Sequence, residues 1–176
     1  MVINGLDPEK LGQIVQAVKE NPDLGRTLWR ARSCWRGGFA VESNIRGFTL
    51  AMDEPPDLGG TNTAPNPVEM VLASYGSCLC IGYAMNAAVM GINVQKLEIE
   101  LEGNIDLPGF LGLAPEADQS ELPGFTEIRA RVFLKTDAPR SRMEELHGRV
   151  WKTSPVGTTL SREVRLVGEL VNRSFV

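Results

Sequence analysis

Between Pro67 and Gly91 the chain reads PVEMVLASYGSCLCIGYAMNAAVMG, and after Glu69 it carries no charged residue until Lys96. An uncharged apolar run of this length has two solutions: a helix that crosses a bilayer, for which about 20 residues suffice, or a helix buried on all sides within a protein. Composition separates them. Ala73, Ser74, Gly76, Ser77, Ala84, Ala87 and Ala88 are small, and Tyr75, Tyr83 and Asn86 are polar, so the run lacks the continuous Leu, Ile, Val and Phe of a membrane span. Small side chains let a second backbone come close, as a central helix crossing another requires. Pro67 fits a first helical position, and Gly91 followed by Ile92 fits a Schellman stop. The expectation is a buried central helix. A membrane protein is the alternative, which solubility without detergent would exclude.

The 176 residues suit one domain with an appendage and are enough to bury a core. A net charge of −4 gives nucleic acid and anionic membrane no general attraction, so neither is an expected partner. The opening MVINGLDPEKLGQ has no basic segment followed by an apolar one, which leaves no secretory signal to read. Three cysteines are too few, and odd in number, for a disulfide framework, and a reducing cytoplasm is the expected setting. His147 is the one histidine, no Cys/His cluster accompanies it, and neither a metal nor a cofactor is expected. It is given no catalytic role.

Asp7 and Pro8 open a short amphipathic helix in which Leu11, Ile14, Val15 and Val18 recur at helical spacing, and Asn21-Pro22 ends it. Residues 1–26 therefore read as a helical arm and 27–176 as the main domain. TLWRARSCW, FAVES and RGFTLAM read as an antiparallel meander with turns at Arg36-Gly37-Gly38 and at Asn44. DEPPDLGGTNTAPNP is a loop that delivers the chain to the central helix. VQKLEIELEGNID and FTEIRARVFLKT alternate as half-buried strands, one with an acidic outer row and the other with a basic one, which would pair them. LPGFLGLAPEADQSELPG connects the two. Asp137 is a candidate cap for a helix through Lys152, with Met143, Leu146 and Val150 on one stripe. Ser154-Pro155 opens another helix, and EVRLVGELV closes the chain as a strand. The sum is an α+β domain, and a homodimer would cover its buried helix on every side.

Cys78 and Cys80 lie two apart on one helix and so point about 200° apart, which prevents their bonding each other. A buried cysteine is ordinarily a small core hydrophobe, and Cys80 is read so. Around Cys78 the segment P-V-E-M-V-L-A-S-Y-G-S-C, together with W-R-G-G-F at Trp35, D-E-P-P-D-L-G-G-T at Asp53, G-I at Gly91, E-G-N-I-D at Glu102 and S-P-V at Ser154, resembles the OsmC/Ohr family of osmotically induced and organic-hydroperoxide-resistance proteins. The likeness runs from about Trp29 to Val171.

That resemblance implies an intertwined α+β homodimer with two long helices at its centre, and a thiol-dependent peroxidase without metal or haem. Cys78 takes the place of the thiolate that attacks an organic hydroperoxide, and a dithiol of lipoyl type would be the reductant. Arg36 is the candidate for holding that thiolate ionised, with Arg46 as competitor. Glu69 matches an acid of some branches, although the family's hydroperoxidases carry it one position earlier, where this chain has Val68. Trp35, Tyr75, Phe110 and Phe125 are candidates for an apolar pocket near Cys78, the competing reading being ordinary core.

The departure is Ser154, which stands where family peroxidases have the resolving cysteine and cannot form a disulfide. Either external thiol reduces Cys78, or Cys34 resolves it, or turnover is lost. The leading expectation is a one-cysteine organic hydroperoxide peroxidase, in which Cys78→Ser abolishes turnover and Ser154→Ala, as a mere helix cap, barely changes it. The alternative is a catalytically degenerate stress protein of the same fold that binds a small apolar ligand.

Overall fold

The structure is a computed structural model that describes residues 1–113 and 123–172. Helix α1, Pro8–Glu20, starts where Asp7 accepts the N–H groups of Glu9 and Lys10 at 3.0 and 3.4 Å. One turn of 3₁₀ helix, Pro22–Gly25, follows. Ile14 and Val15 stay exposed, so only part of the apolar stripe of α1 is covered within the chain.

Strands β1 (Arg32–Gly37), β2 (Ala40–Ile45) and β3 (Phe48–Met52) form an antiparallel meander in that order. β1 begins later than expected: its ladder with β2 starts at Arg32 opposite Asn44, and β2 ends one residue later at Ile45, which leaves residues 27–30 no β2 residue to face. The second turn falls at Arg46-Gly47, where φ is 58° and 122°, and not at Asn44, which sits in the ladder opposite Thr49. Gly47 supplies the left-handed backbone that the bend needs, and Arg46 shares it with its guanidinium 5.5 Å from the Phe48 ring centroid. This sheet makes no more than fringe contact with the helices and strands that follow.

The expected loop after β3 is knotted around Asp53, which is 2% exposed and accepts the N–H groups of Glu54, Thr61 and Thr63 and the hydroxyls of Thr61 and Thr63. Hydrogen bonding, first from Thr61, holds the carboxyl well below the usual carboxylate range. The knot delivers the chain to Asn66. Its side chain accepts the Glu69 N–H at 2.7 Å while Glu69 accepts the Asn66 N–H at 2.8 Å, a capping box that opens α2 (Pro67–Val89). At the far end Ile92 N–H reaches Ala87 O at 2.8 Å and Gly91 N–H reaches Ala88 O at 3.2 Å, the Schellman pattern expected from Gly91.

β4 (Val94–Asp106) and β5 (Gly124–Thr136) pair antiparallel in a separate sheet, placing Glu100 opposite Arg131 and Glu102 opposite Arg129. The acidic and basic rows do meet: Arg131 bonds Glu102 and lies 3.6 Å from Glu100. A single turn, α3 (Leu107–Phe110), follows β4, and residues 114–122 of the expected connection lie outside the described residues.

Asp137 does not cap α4, which runs Arg140–Thr153 behind Pro139. Its carboxylate instead accepts the Asn93 N–H at 2.9 Å, tying the end of β5 to the α2–β4 connection. α5 (Pro155–Ser161) begins at Ser154 as expected. From Arg162 to Asn172 the chain has no regular structure, and Leu166 and Leu170 are 90% and 99% exposed, so the expected closing strand is absent. A ladder needs an open edge as well as an alternating sequence, and this segment engages neither sheet of its own chain.

The core gathers Leu79, Tyr83 and Ala87 of α2 with Ile92 and with Leu146 and Val150 of α4, against Leu97 and Ile99 of β4 and Val132 and Leu134 of β5. Burying each Leu or Val side chain contributes about 1.5–3 kcal/mol, enough to fix α4 on α2. Gly76 makes the approach of β4 possible, since a Cβ there would lie 2.6 Å from Leu101 Cδ1. By length and composition α2 could cross a membrane, yet its Leu79–Tyr83 face is taken up by β4 and α4. The helix is nevertheless not covered on every side. Ile81 is 69% exposed, and Met85 and Val89 are exposed with it.

Candidate active site at Cys78

Cys78 lies midway along α2 and faces the elbow between α4 and α5. Its Sγ is 3.4 Å from Ser154 Oγ. Ser154 ends α4 and caps α5, accepting the Gly157 N–H at 3.0 Å, so its side chain is fixed from both directions. The elbow packs tightly because residue 157 is glycine. A Cβ there would come 3.0 Å from Tyr75 Cε2 and 3.1 Å from Ser154 Oγ.

The sulfur opens on a cavity of about 460 Å³ walled by Ser74, Ser77, Ile81 and Met85 of α2, Val150 and Thr153 of α4, and Pro155 and Val156 of α5. Among the described residues no charged side chain lines it. A larger groove of about 840 Å³ adjoins it through Ser74, Pro155 and Val156 and extends past Met70 and Leu160 to Trp29. Hydroxyls and alkyl groups around one thiol suit an uncharged apolar ligand.

The other expected site residues are dispersed within the chain. Arg36, in β1, pairs with Glu42 at 3.0 Å, and that hydrogen bond raises the pKa of its guanidinium and lowers that of the Glu42 carboxyl. Neither Arg36 nor Arg46 lines the Cys78 cavity. Glu69 serves the capping box, nine positions before Cys78, or about 13 Å along the helix axis. Trp35 is 73% exposed on the first hairpin, its indole N–H donating to Gly38 O at 2.8 Å.

Tyr75 sits one turn before Cys78, meets Trp151 edge-on with ring centroids 6.4 Å apart, and has its phenol pKa raised by burial and then by Cys78. Tyr75 and Phe125 share one cavity, and Phe110 and Phe125 share another with Glu69. None of the four aromatics lines the Cys78 cavity itself. All three cysteines are free, and burial pushes the Cys80 thiol up.

Sequence reasoning missed the hydrogen bond between Tyr83 and His147, with Trp151 stacked 5.2 Å beyond, which ties α2 to α4. Burial pushes the Tyr83 phenol up to about 12. It also missed the Asp53 knot, for which Thr-x-Thr at 61–63 was the available signal.

Fold and site together define an α+β protein built on a cysteine-bearing central helix. The chain matches the family described as OsmC-like protein across residues 60–167, and it belongs to that family. Solved structures with this fold include an OsmC-like protein from Mycoplasma pneumoniae, at 15% identity and TM-score 0.63 over 77% of this chain and 88% of that one. An OsmC-like protein of unknown function from Vibrio cholerae matches at 15% identity and TM-score 0.61, over 83% and 100%. The organic hydroperoxide resistance protein OsmC of Legionella pneumophila matches at 20% identity and TM-score 0.54, over 77% and 91%. No curated protein sequence matches the chain.

Proposed function

We propose that this OsmC-like protein is a thiol-dependent peroxidase that reduces organic hydroperoxides through the single cysteine Cys78. The observation that carries the reading is the Cys78 sulfur opening into an apolar, uncharged cavity on the central helix. The Legionella relative's description as an organic hydroperoxide resistance protein agrees with it. In the proposed step the Cys78 thiolate attacks the distal oxygen of the hydroperoxide and the O–O bond breaks. The alkoxide leaves and takes a proton to become an alcohol, and the sulfur is left as a sulfenic acid. One thiol of an external dithiol, a lipoyl group being the model, then displaces water to form a mixed disulfide. Its second thiol releases Cys78 and departs as a cyclic disulfide.

The reading includes a homodimer. Ser74, Ser77, Ile81, Met85 and Val89 form an open stripe along α2, with small residues where another helix would cross closest. The β1–β3 sheet, left almost free of its own helices, has Trp35, Phe39 and Phe48 exposed. A second copy would cover both surfaces, and it would bring a guanidinium, Arg36 in the first instance, to a thiol whose cavity is lined by no charged side chain among the described residues.

The uncharged cavity also favours a second reading, a binding protein that has lost turnover. Intact mass after one equivalent of an alkyl hydroperoxide, with dimedone present, separates the two. A single dimedone adduct on Cys78 formed at neutral pH supports the peroxidase. No adduct, with retained apolar-ligand binding, supports the binding protein.

A further inference from the structure

Ser154 is 5% exposed, and among the described residues its hydroxyl has two hydrogen-bond partners, the Gly157 N–H at 3.0 Å and Cys78 Sγ at 3.4 Å. A serine hydroxyl has one hydrogen and two lone pairs. The Gly157 N–H occupies a lone pair, which leaves the hydrogen free for the sulfur. While Cys78 is a thiol, either group can donate across the 3.4 Å contact. Once it is a thiolate only Ser154 can, and a hydrogen bond to a charged acceptor is the stronger kind, more so away from water.

We propose that Ser154 is a catalytic residue of this site: its hydroxyl donates to Cys78 Sγ, favouring the thiolate and then the sulfenate. The serine at the resolving position therefore does more than cap α5, and the expectation that Ser154→Ala is nearly silent is revised. The inference rests on Cys78 being the reactive thiol. Among the described residues facing that sulfur, α2 contributes one further titratable group, the Tyr75 phenol, whose raised pKa leaves it neutral at physiological pH. α4 presents Val150 and Thr153 and α5 presents Pro155 and Val156, none of which titrates.

The test is the pH–rate profile of Cys78 alkylation by iodoacetamide, read by site-resolved mass spectrometry on the full chain, for wild type, Ser154→Ala, Ser154→Gly and Ser154→Thr. Glycine caps a helix within a few tenths of a kcal/mol of serine but has no hydroxyl, so it separates capping from donation. The Ala and Gly variants are expected to alkylate about tenfold more slowly at neutral pH, with profiles moved upward by about one pH unit. Threonine is expected to restore the wild-type profile. Coincident profiles for all four proteins would overturn the proposal, as would a shift in Ser154→Ala that Ser154→Gly does not share. Alkylation needs no hydroperoxide, so failure of the peroxidase reading is seen separately, as absence of the dimedone adduct in wild type.

Discussion

Asn4 grips the start of β4: its Oδ1 accepts the Val94 N–H at 2.8 Å while its Nδ2 donates to Ile92 O at 3.0 Å. Two backbone groups just past the Schellman stop of α2 are thus satisfied by one amide from the arm, itself held at φ 54°, a backbone that asparagine tolerates better than most residues. Asn4→Ala is expected to cost about 1–2 kcal/mol. Hydrogen exchange should rise through α1 while β4 and β5 stay protected, and unchanged exchange in α1 would show that the arm is held by something else.

The open stripe of α2 leads to a prediction about assembly. Ile81→Glu with Val89→Glu puts two carboxylates on the face assigned to the second copy, and neither residue belongs to the core with Leu79 and Tyr83. Sedimentation is expected to show a dimer for wild type and a monomer for the double variant. A monomeric wild type would remove the dimer from the reading.

Asp53 sets a limit on acid stability. Its folded pKa lies below the unfolded value of about 3.9, so the unfolded chain binds the extra proton as pH falls. The contribution is complete above the unfolded value and is lost as pH drops toward the folded one. Thermal melts from pH 7 down to pH 2 are expected to show wild type falling more steeply below about pH 4 than Asp53→Asn, which starts lower at neutral pH. Equal slopes would mean that the carboxylate is not the titrating partner of Thr61 and Thr63. Gly60 belongs to the same knot, because a Cβ there would lie 1.8 Å from Glu54 O.

What could be read from sequence was what local chemistry fixes. The helix start at Pro67, the stop at Gly91, the charge-matched β4–β5 register and the Ser154-Pro155 start each depend on a few neighbouring residues or on a period. Cys78 came from the motif around it, and its contact with Ser154 needed coordinates because α2 and the α4–α5 elbow are far apart in the chain. Misreadings arose where a distant partner decided the outcome. Asp137 had the right type for a cap but is engaged by Asn93, and Glu163 to Val171 alternates like a strand without an edge to join. The Tyr83–His147 bond had no local signal at all.

The bend at Arg46-Gly47 uses a left-handed backbone for a residue with a long side chain, where asparagine would sit with less strain by about 1 kcal/mol. Arg46→Asn is therefore expected to raise the melting temperature. The Arg46 guanidinium, 5.5 Å from the Phe48 ring centroid, offsets part of that strain by about 0.5–1 kcal/mol. The backbone and the side chain of Arg46 thus set the stability of the β2–β3 bend in opposite directions.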